Sequence, residues 1–337
     1  MGMTVSLDVV ACFLPREDGK VFIRTEGFRD IVIALDDLDG IEPTSRGMIK
    51  GVLKYFVNCG YNVGGFTAIL HSSMPSAAGL SSSAAFQMLV AQILNHLYND
   101  SKLDNLTLAK AGQFAETVYF NKPCGLLDQL VVLTGGVVCM DFTNNTAKTL
   151  ATLPQGLDLV VVNTGKHSRL NCYYATIPAD MKSVANFFGK QVLAEVDFCQ
   201  FDKNKQQLLQ TVGQQAVDRA EHFFEENVRV NNAYNACKND DAQTFVANLN
   251  ASGNSSMTKL KNCSIPGVTT VLQDAIVTLT ALNPNGATRV HGGGFAGTVL
   301  CIVPQGEKQC FVAKATELFG AENVHQLKAR NVGTIML

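Results

Sequence analysis

Residues able to do chemistry gather at a few places in this chain, and the densest is Met74-Pro-Ser-Ala-Ala-Gly-Leu-Ser-Ser-Ser-Ala-Ala85. Just beyond it Phe86, Leu89, Val90, Ile93, Leu94 and Leu97 recur at helical spacing, which predicts an amphipathic helix opening at the serines. Small side chains let backbone approach a ligand closely. The unpaired N–H groups of a first helical turn, at the positive end of its dipole, favour an anion such as phosphate. Serine hydroxyls there can also donate to phosphate oxygens or ligate Mg²⁺. One serine at a helix start serves as an N-cap. Three serines behind Gly79, with Ala77 and Ala78 before it, exceed what capping requires. No Gly-Lys-Ser/Thr follows, so this is not a Walker A loop.

The second place is Cys124-Gly-Leu-Leu-Asp-Gln129. A single carboxylate in an apolar loop can be poised as a base or an orienting anion. Asp128 can equally cap a short helix over Gln129–Thr134. Glu116 lies on a preceding helix, where most glutamates are solvated surface charges. The third place is Gly292-Gly-Gly-Phe-Ala-Gly297 between two strands, where glycine permits left-handed backbone and close approach. By itself such a loop is equally a bulge or tight hairpin, and it fails the dinucleotide-binding pattern because no helix with a suitably placed acid follows. His167 and His291 flank candidate loops, and neither receives a role.

These residues need elements to hold them. Alternation over Thr4–Pro15 predicts a strand, Asp18-Gly19 a hairpin turn, and Lys20–Thr25 its returning partner. Helices are expected over Thr44–Asn58 and Thr107–Tyr119, and strands over Gly65–His71, Gly136–Phe142 and Leu157–Asn163. Helix-rich, Gln/Asn-rich sequence runs from Ile177 to Leu249, and a last strand is expected near Gly333–Leu337.

At 337 residues the chain is long enough for about two domains. Hydrophobic residues at 47% against 17% charged provide a large core and exclude disordered and coiled-coil classes. Lys+Arg 27 against Asp+Glu 29 leaves no basic excess for nucleic acid. The ten cysteines are scattered with no Cys-x-x-Cys pair, which reads as reduced thiols of a cytoplasmic protein. No apolar run of about 18 residues marks a membrane span, and Met1 opens no signal peptide.

In this order, the pieces resemble the GHMP family of small-molecule kinases, and within it the galactokinase branch. The family's Pro-x-x-x-Gly-Leu-Ser-Ser-Ser-Ala is matched at Pro75–Ala84, and its Gly-Gly-Gly-Phe-Gly-Gly at Gly292–Gly297 with Ala296 substituted. The branch's Ala-Glu…Pro-Cys-Gly-Ile-Met-Asp-Gln is matched by Ala115-Glu116 and Pro123–Gln129, and Val162–Ser168 resembles the strand and loop opening the second domain. The match covers nearly the whole chain.

That resemblance implies a mixed α/β (α+β) fold of two domains. A ribosomal-protein-S5-like N-terminal domain would span 1–156, joined by a returning strand at 323–337, and a ferredoxin-like C-terminal domain 157–322. It implies phosphorylation of galactose, or a close sugar, at the anomeric 1-hydroxyl by ATP with Mg²⁺, in a monomeric protein. Asp128 would be the catalytic aspartate. Ser83 and Glu116 would hold Mg²⁺, Ala78, Gly79, Leu80, Ser81 and Ser82 would cradle phosphate beside Ser83, and Gly125 and Tyr174, with Asp128, would contact the sugar. Tyr173 competes with Tyr174 for that place. The branch's Gly-Arg-Val-Asn-Leu-Ile-Gly-Glu-His-Thr-Asp stretch has no counterpart, since Met1–Leu7 resembles the segment just after that stretch. The arginine that pairs with the catalytic aspartate comes from that stretch. Either the chain is cut or mis-started ahead of Met1, or the natural protein lacks the stretch; the second case makes a catalytically weak or inactive sugar- and ATP-binding sensor the alternative, beside another kinase of the family such as one for N-acetylgalactosamine.

Overall fold

The computed structural model describes residues 1–75, 79–150, 152–164, 171–295 and 297–337. The chain divides into two compact units. One comprises Met1–Ser76, Leu80–Thr152 and Ala329–Leu337, and the other Leu153–Lys328 with Gly79.

The first unit begins with β1 (Gly2–Met3), β2 (Val9–Arg16), β3 (Lys20–Thr25) and β4 (Ile31–Ala34). Next come α1 (Ser45–Asn58), β5 (Gly65–Ser72), α2 (Ser82–Tyr98) and α3 (Asn105–Phe114). A π-helical turn over Ala115–Tyr119 continues α3, and α4 (Leu127–Thr134), β6 (Val137–Asp141) and β7 (Thr146–Leu150) complete the unit. The main sheet has the order β2-β5-β3-β4, and a smaller one the order β1-β6-β7. Period-two alternation turns Val21, Ile23, Ile33, Phe66, Ala68 and Leu70 onto one face, where α1, α2 and α3 cover them with Ile49, Leu53, Phe56, Met88, Leu94 and Leu108.

Three expectations are corrected by this arrangement. The Asp18-Gly19 turn exists, with Gly19 at φ 66°, but β2 and β3 are not partners. β5 enters between them, antiparallel to β2 and parallel to β3, because its Phe66, Ala68 and Leu70 fit a central, covered strand. Pro15 has no N–H for a second neighbour and suits β2 to the edge. The strand expected from Thr4 starts only at Val9, since Val5 bridges Ala329 instead. The expected strand at Gly333–Leu337 is absent. Its hydrogen bonds run singly to element ends (Arg330 N–H to Thr4 O, Gly136 N–H to Arg330 O, Thr334 N–H to Val132 O), so no ladder can propagate.

The second unit comprises β8 (Leu157–Asn163), α5 (Asn171–Phe187), α6 (Phe198–Lys203), α7 (Lys205–Val212) and α8 (Gln214–Lys238). After them come α9 (Ala242–Ser255), α10 (Val271–Leu282), β9 (Ala287–Val290), β10 (Thr298–Pro304), α11 (Lys308–Phe319) and β11 (Val324–Leu327). Its antiparallel sheet, ordered β11-β8-β10-β9, has the ferredoxin-like arrangement. Val160, Val162, Val299, Cys301 and Val303 face α10 and α11 in one core, and Phe201, Leu208, Val217 and Val184 join the helices in another. Burial pushes the Cys237, Cys263 and Cys301 thiols up to about 12, which leaves them protonated packing groups. Among the described residues no helix is long and apolar enough to cross a membrane.

Candidate active site

Sequence places Ser81 where an N-cap belongs, yet its side chain caps nothing. Its backbone is left-handed (φ 58°), an uncommon conformation for a residue with a Cβ. That turn sends its hydroxyl away from α2, and Ser81 Oγ donates a 2.6 Å hydrogen bond to Asp128 Oδ2. Two motifs 47 residues apart therefore meet. The first-turn amides of α2 are left to other acceptors, which is the arrangement that binds anions. Gly79, at φ 70°, turns the chain just before it. Ser82 is exposed, and Ser81 and Ser83 are half-buried. Ala78 lies outside the described residues, as do Ala296 and the Gly165–Ser168 part of the loop after β8.

Asp128 is not the cap of its helix. α4 starts two residues earlier than expected, at Leu127 with Leu126 at the cap position, so Asp128 sits exposed in the first turn, three residues after Gly125. The loop before it is held by Gln113, whose Nε2 donates to Cys124 O at 3.0 Å, and by Gln129, whose Nε2 donates to Cys124 Sγ at 3.4 Å. Burial pushes the Cys124 thiol up from its ordinary range.

Glu116 is not the surface charge that a helical glutamate usually is. It is 2% exposed within the π-helical turn. Gln87 Nε2 donates to its Oε1 at 3.2 Å, and the Lys122 ammonium lies 3.4 Å from Oε2, an oxygen with no hydrogen-bond partner. Gln87 follows Ser83 by one turn of α2, so both side chains stand on one helix face. A buried carboxylate whose Oε2 accepts no hydrogen bond, and which is hydrogen-bonded to Gln87 one turn of α2 from Ser83, fits a hard cation that takes its remaining ligands from phosphate and water.

The buried stripe of α2 is rotated from the one read in sequence. Ala84, Gln87, Met88, Val90, Ala91, Ile93 and Leu94 are deepest, while Phe86, Leu89 and Leu97 are only half-buried. The rotation takes Gln87 inside. A pocket of about 290 Å³ lined by Glu26, Phe28, His71, Ser72, Met74, Pro75 and Ser82 also opens beside the serine turn. Spacing gave no sign of it, because its residues come from separate strands and loops.

Within the second unit, Tyr173 and Tyr174 stand exposed in the first turn of α5. Tyr174 lies against the glycine loop so closely that a Cβ at Gly293 would overlap its ring, and Tyr173 meets Phe295 with ring centres 6.4 Å apart. Asn262 fixes that loop: its O accepts from Phe295 N–H at 3.0 Å and its Nδ2 donates to Gly293 O at 3.1 Å.

Residues 47–136 match the family described as GHMP kinases N terminal domain. That stretch belongs to the GHMP kinase family. Among solved structures the chain is similar to Lactococcus lactis galactokinase complexed with galactose, with a TM-score of 0.86 and 22% identity over 98% of this chain and 88% of that one. It is also similar to Methanococcus jannaschii mevalonate kinase (TM-score 0.59, 14% identity, 98% and 90% covered). Homoserine kinase from Cytophaga hutchinsonii is a further match (TM-score 0.57, 15% identity, 97% and 88% covered). At these identities the likeness establishes the two-domain GHMP kinase fold.

Proposed function

We propose that this protein is an ATP-dependent sugar 1-kinase acting on galactose or a close sugar. The observation carrying the proposal is the 2.6 Å bond from Ser81 to Asp128, which ties an anion-binding helix start to an exposed carboxylate. Phosphoryl transfer asks a protein to position two oxygens about a phosphorus atom and neutralise charge, with little covalent help. The α2 amides and the hydroxyls of Ser81, Ser82 and Ser83 would grip the phosphates, and the pocket at Phe28, His71 and Met74 would take the nucleotide base. Asp128 would accept the proton of the anomeric hydroxyl as its oxygen bonds to the γ-phosphorus and the bridging bond to ADP breaks. Ser83 and Glu116 would hold Mg²⁺, which supplies charge neutralisation on the β- and γ-phosphates. Gly125 and Tyr174 would border the sugar.

The family resemblance over Pro123–Gln129 supports a sugar over mevalonate or homoserine. The test is ATP consumption with galactose, N-acetylgalactosamine, mevalonate and homoserine in parallel. Galactose-dependent turnover that falls at least about 10³-fold in Asp128→Asn, with nucleotide binding retained, supports the proposal. Full activity in that variant refutes the role of Asp128. Saturable galactose binding without transfer would identify a sensor instead.

A further inference from the structure

Gln87, Gln129 and Glu116 are 0%, 1% and 2% exposed, and each carries one side-chain oxygen with no hydrogen-bond partner. Both glutamines press on the same point of α3. A Cβ built on Gly112 would lie 2.9 Å from Gln87 Oε1 and 3.0 Å from Gln129 Cγ, so glycine there is what lets both amides in. A buried oxygen that loses its water without gaining a donor is destabilising. Lys122 supplies positive charge to Glu116 Oε2 at 3.4 Å, whereas the Gln87 and Gln129 oxygens are tolerated only where something else supplies donors.

We infer that Gln87 is a positioning residue for Glu116. It holds Oε1 through its amide and leaves Oε2, which faces the Lys122 ammonium at 3.4 Å but accepts no hydrogen bond, to a divalent cation. The open oxygens of Gln87 and Gln129 accept from the water that such a cation keeps. Mg²⁺ dehydrates reluctantly and retains several waters, each a donor needing a buried acceptor. Neutral amides are suited to this, because carboxylates in their place would compete for the ion or take protons. Gln87 also joins the two halves of the metal site, since it is one turn from Ser83 and touches Glu116. Its other neighbour, the thioether sulfur Sδ of Met48 at 3.3 Å, is a weak acceptor that leaves the amide committed to Glu116. This inference rests on the kinase reading for the identity of the cation, and its readout is metal binding, which can be measured whether or not sugar is phosphorylated.

The experiment titrates Mn²⁺ into the protein with ADP, following free Mn²⁺ by electron paramagnetic resonance, for wild type, Gln87→Met, Gln87→Glu and Glu116→Gln. Methionine keeps the length and volume of glutamine and removes its amide. Loss of a partner that orients a metal ligand typically costs 10–100-fold in affinity. Gln87→Met is therefore expected to weaken Mn²⁺ about tenfold or more, and the Mg²⁺ concentration for half-maximal rate to rise in step while the rate at saturating Mg²⁺ is largely kept. A purely structural role would lower the melting temperature and leave both metal readings unchanged. Gln87→Glu removes the same donor and sets a second carboxylate against Glu116, so it too is expected to weaken Mn²⁺ about tenfold or more. It decides the matter if the methionine variant does not fold. Unchanged affinity in the folded Gln87 variants, with Glu116→Gln weakened, overturns the inference and spares the metal role of Glu116. Unchanged affinity in Glu116→Gln overturns that role as well.

Discussion

Gly51→Ala sets helix propensity directly against packing. Gly51 lies in the interior of α1, buried against the π-helical turn that carries Glu116. Taken as a helix position, alanine should be favoured by about 1 kcal/mol. The structure opposes this, because the new Cβ would lie 2.6 Å from Ala115 Cα, 2.8 Å from Ala115 Cβ and 3.1 Å from Tyr119 Cδ2. The nearest atom is backbone and cannot rotate aside. Tyr119 is held too, its hydroxyl donating to Leu38 O at 2.6 Å. Overpacking of this kind costs about 1–3 kcal/mol, and a backbone obstacle puts it at the upper end. Subtracting the propensity gain leaves a net loss of about 2 kcal/mol, or a melting temperature lower by about 4–8 °C for a domain of this size. Calorimetry on the full chain measures it. The shift needed to relieve the clash displaces Ala115 and the adjacent Glu116, so Mn²⁺ affinity should fall together with stability. A Gly51→Ala protein that melts higher, with metal binding intact, would refute the reasoning.

The same geometry sets three further outcomes. Gly125 has open space around its Cβ direction, so Gly125→Ala should leave stability within about 0.5 kcal/mol; a raised KM for galactose with unchanged melting would place the sugar there. Gly293→Ala should push the Tyr174 ring aside at little cost in stability because that ring is exposed, and should reproduce the KM effect of Tyr174→Ala; two silent variants would remove Tyr174 from the site. Burial lowers His222 from 6.5 to about 4, against the opposing pull of Glu226, while its Nδ1 lies 2.9 Å from Ser255 Oγ. The folded chain therefore binds fewer protons than the unfolded chain between those values, so stability is full above pH 6.5 and lost as pH falls toward 4. Urea unfolding should show a loss of about 2 kcal/mol between about pH 7 and about pH 5, flattened in His222→Gln; an equal loss in that variant would assign it to other groups.

Local chemistry is what a sequence states well. Pro75–Ala85 declares a small-residue turn into a helix, Thr44–Asn58 and Gly65–His71 declare a helix and a strand, and Pro123–Gln129 with Gly292–Gly297 declares a family resemblance. These are short-range properties of side-chain size, hydrogen-bonding type and period, written within a dozen neighbouring residues. Pairings across long separations are decided only in the folded chain. β5 enters between β2 and β3, although Asp18-Gly19 has every local mark of a hairpin, because a strand apolar on its inner face gains more at the centre of a sheet. Ser81 abandons its own helix for Asp128, and Glu116 is drawn from an expected surface position into the interior by a π-helical turn against Gly51. Gln87, a polar residue within a helix read as apolar on another face, becomes the partner of Glu116. Each outcome depends on which atoms of distant segments arrive at contact distance. A carboxylate's environment is set by those neighbours and not by its place in the chain.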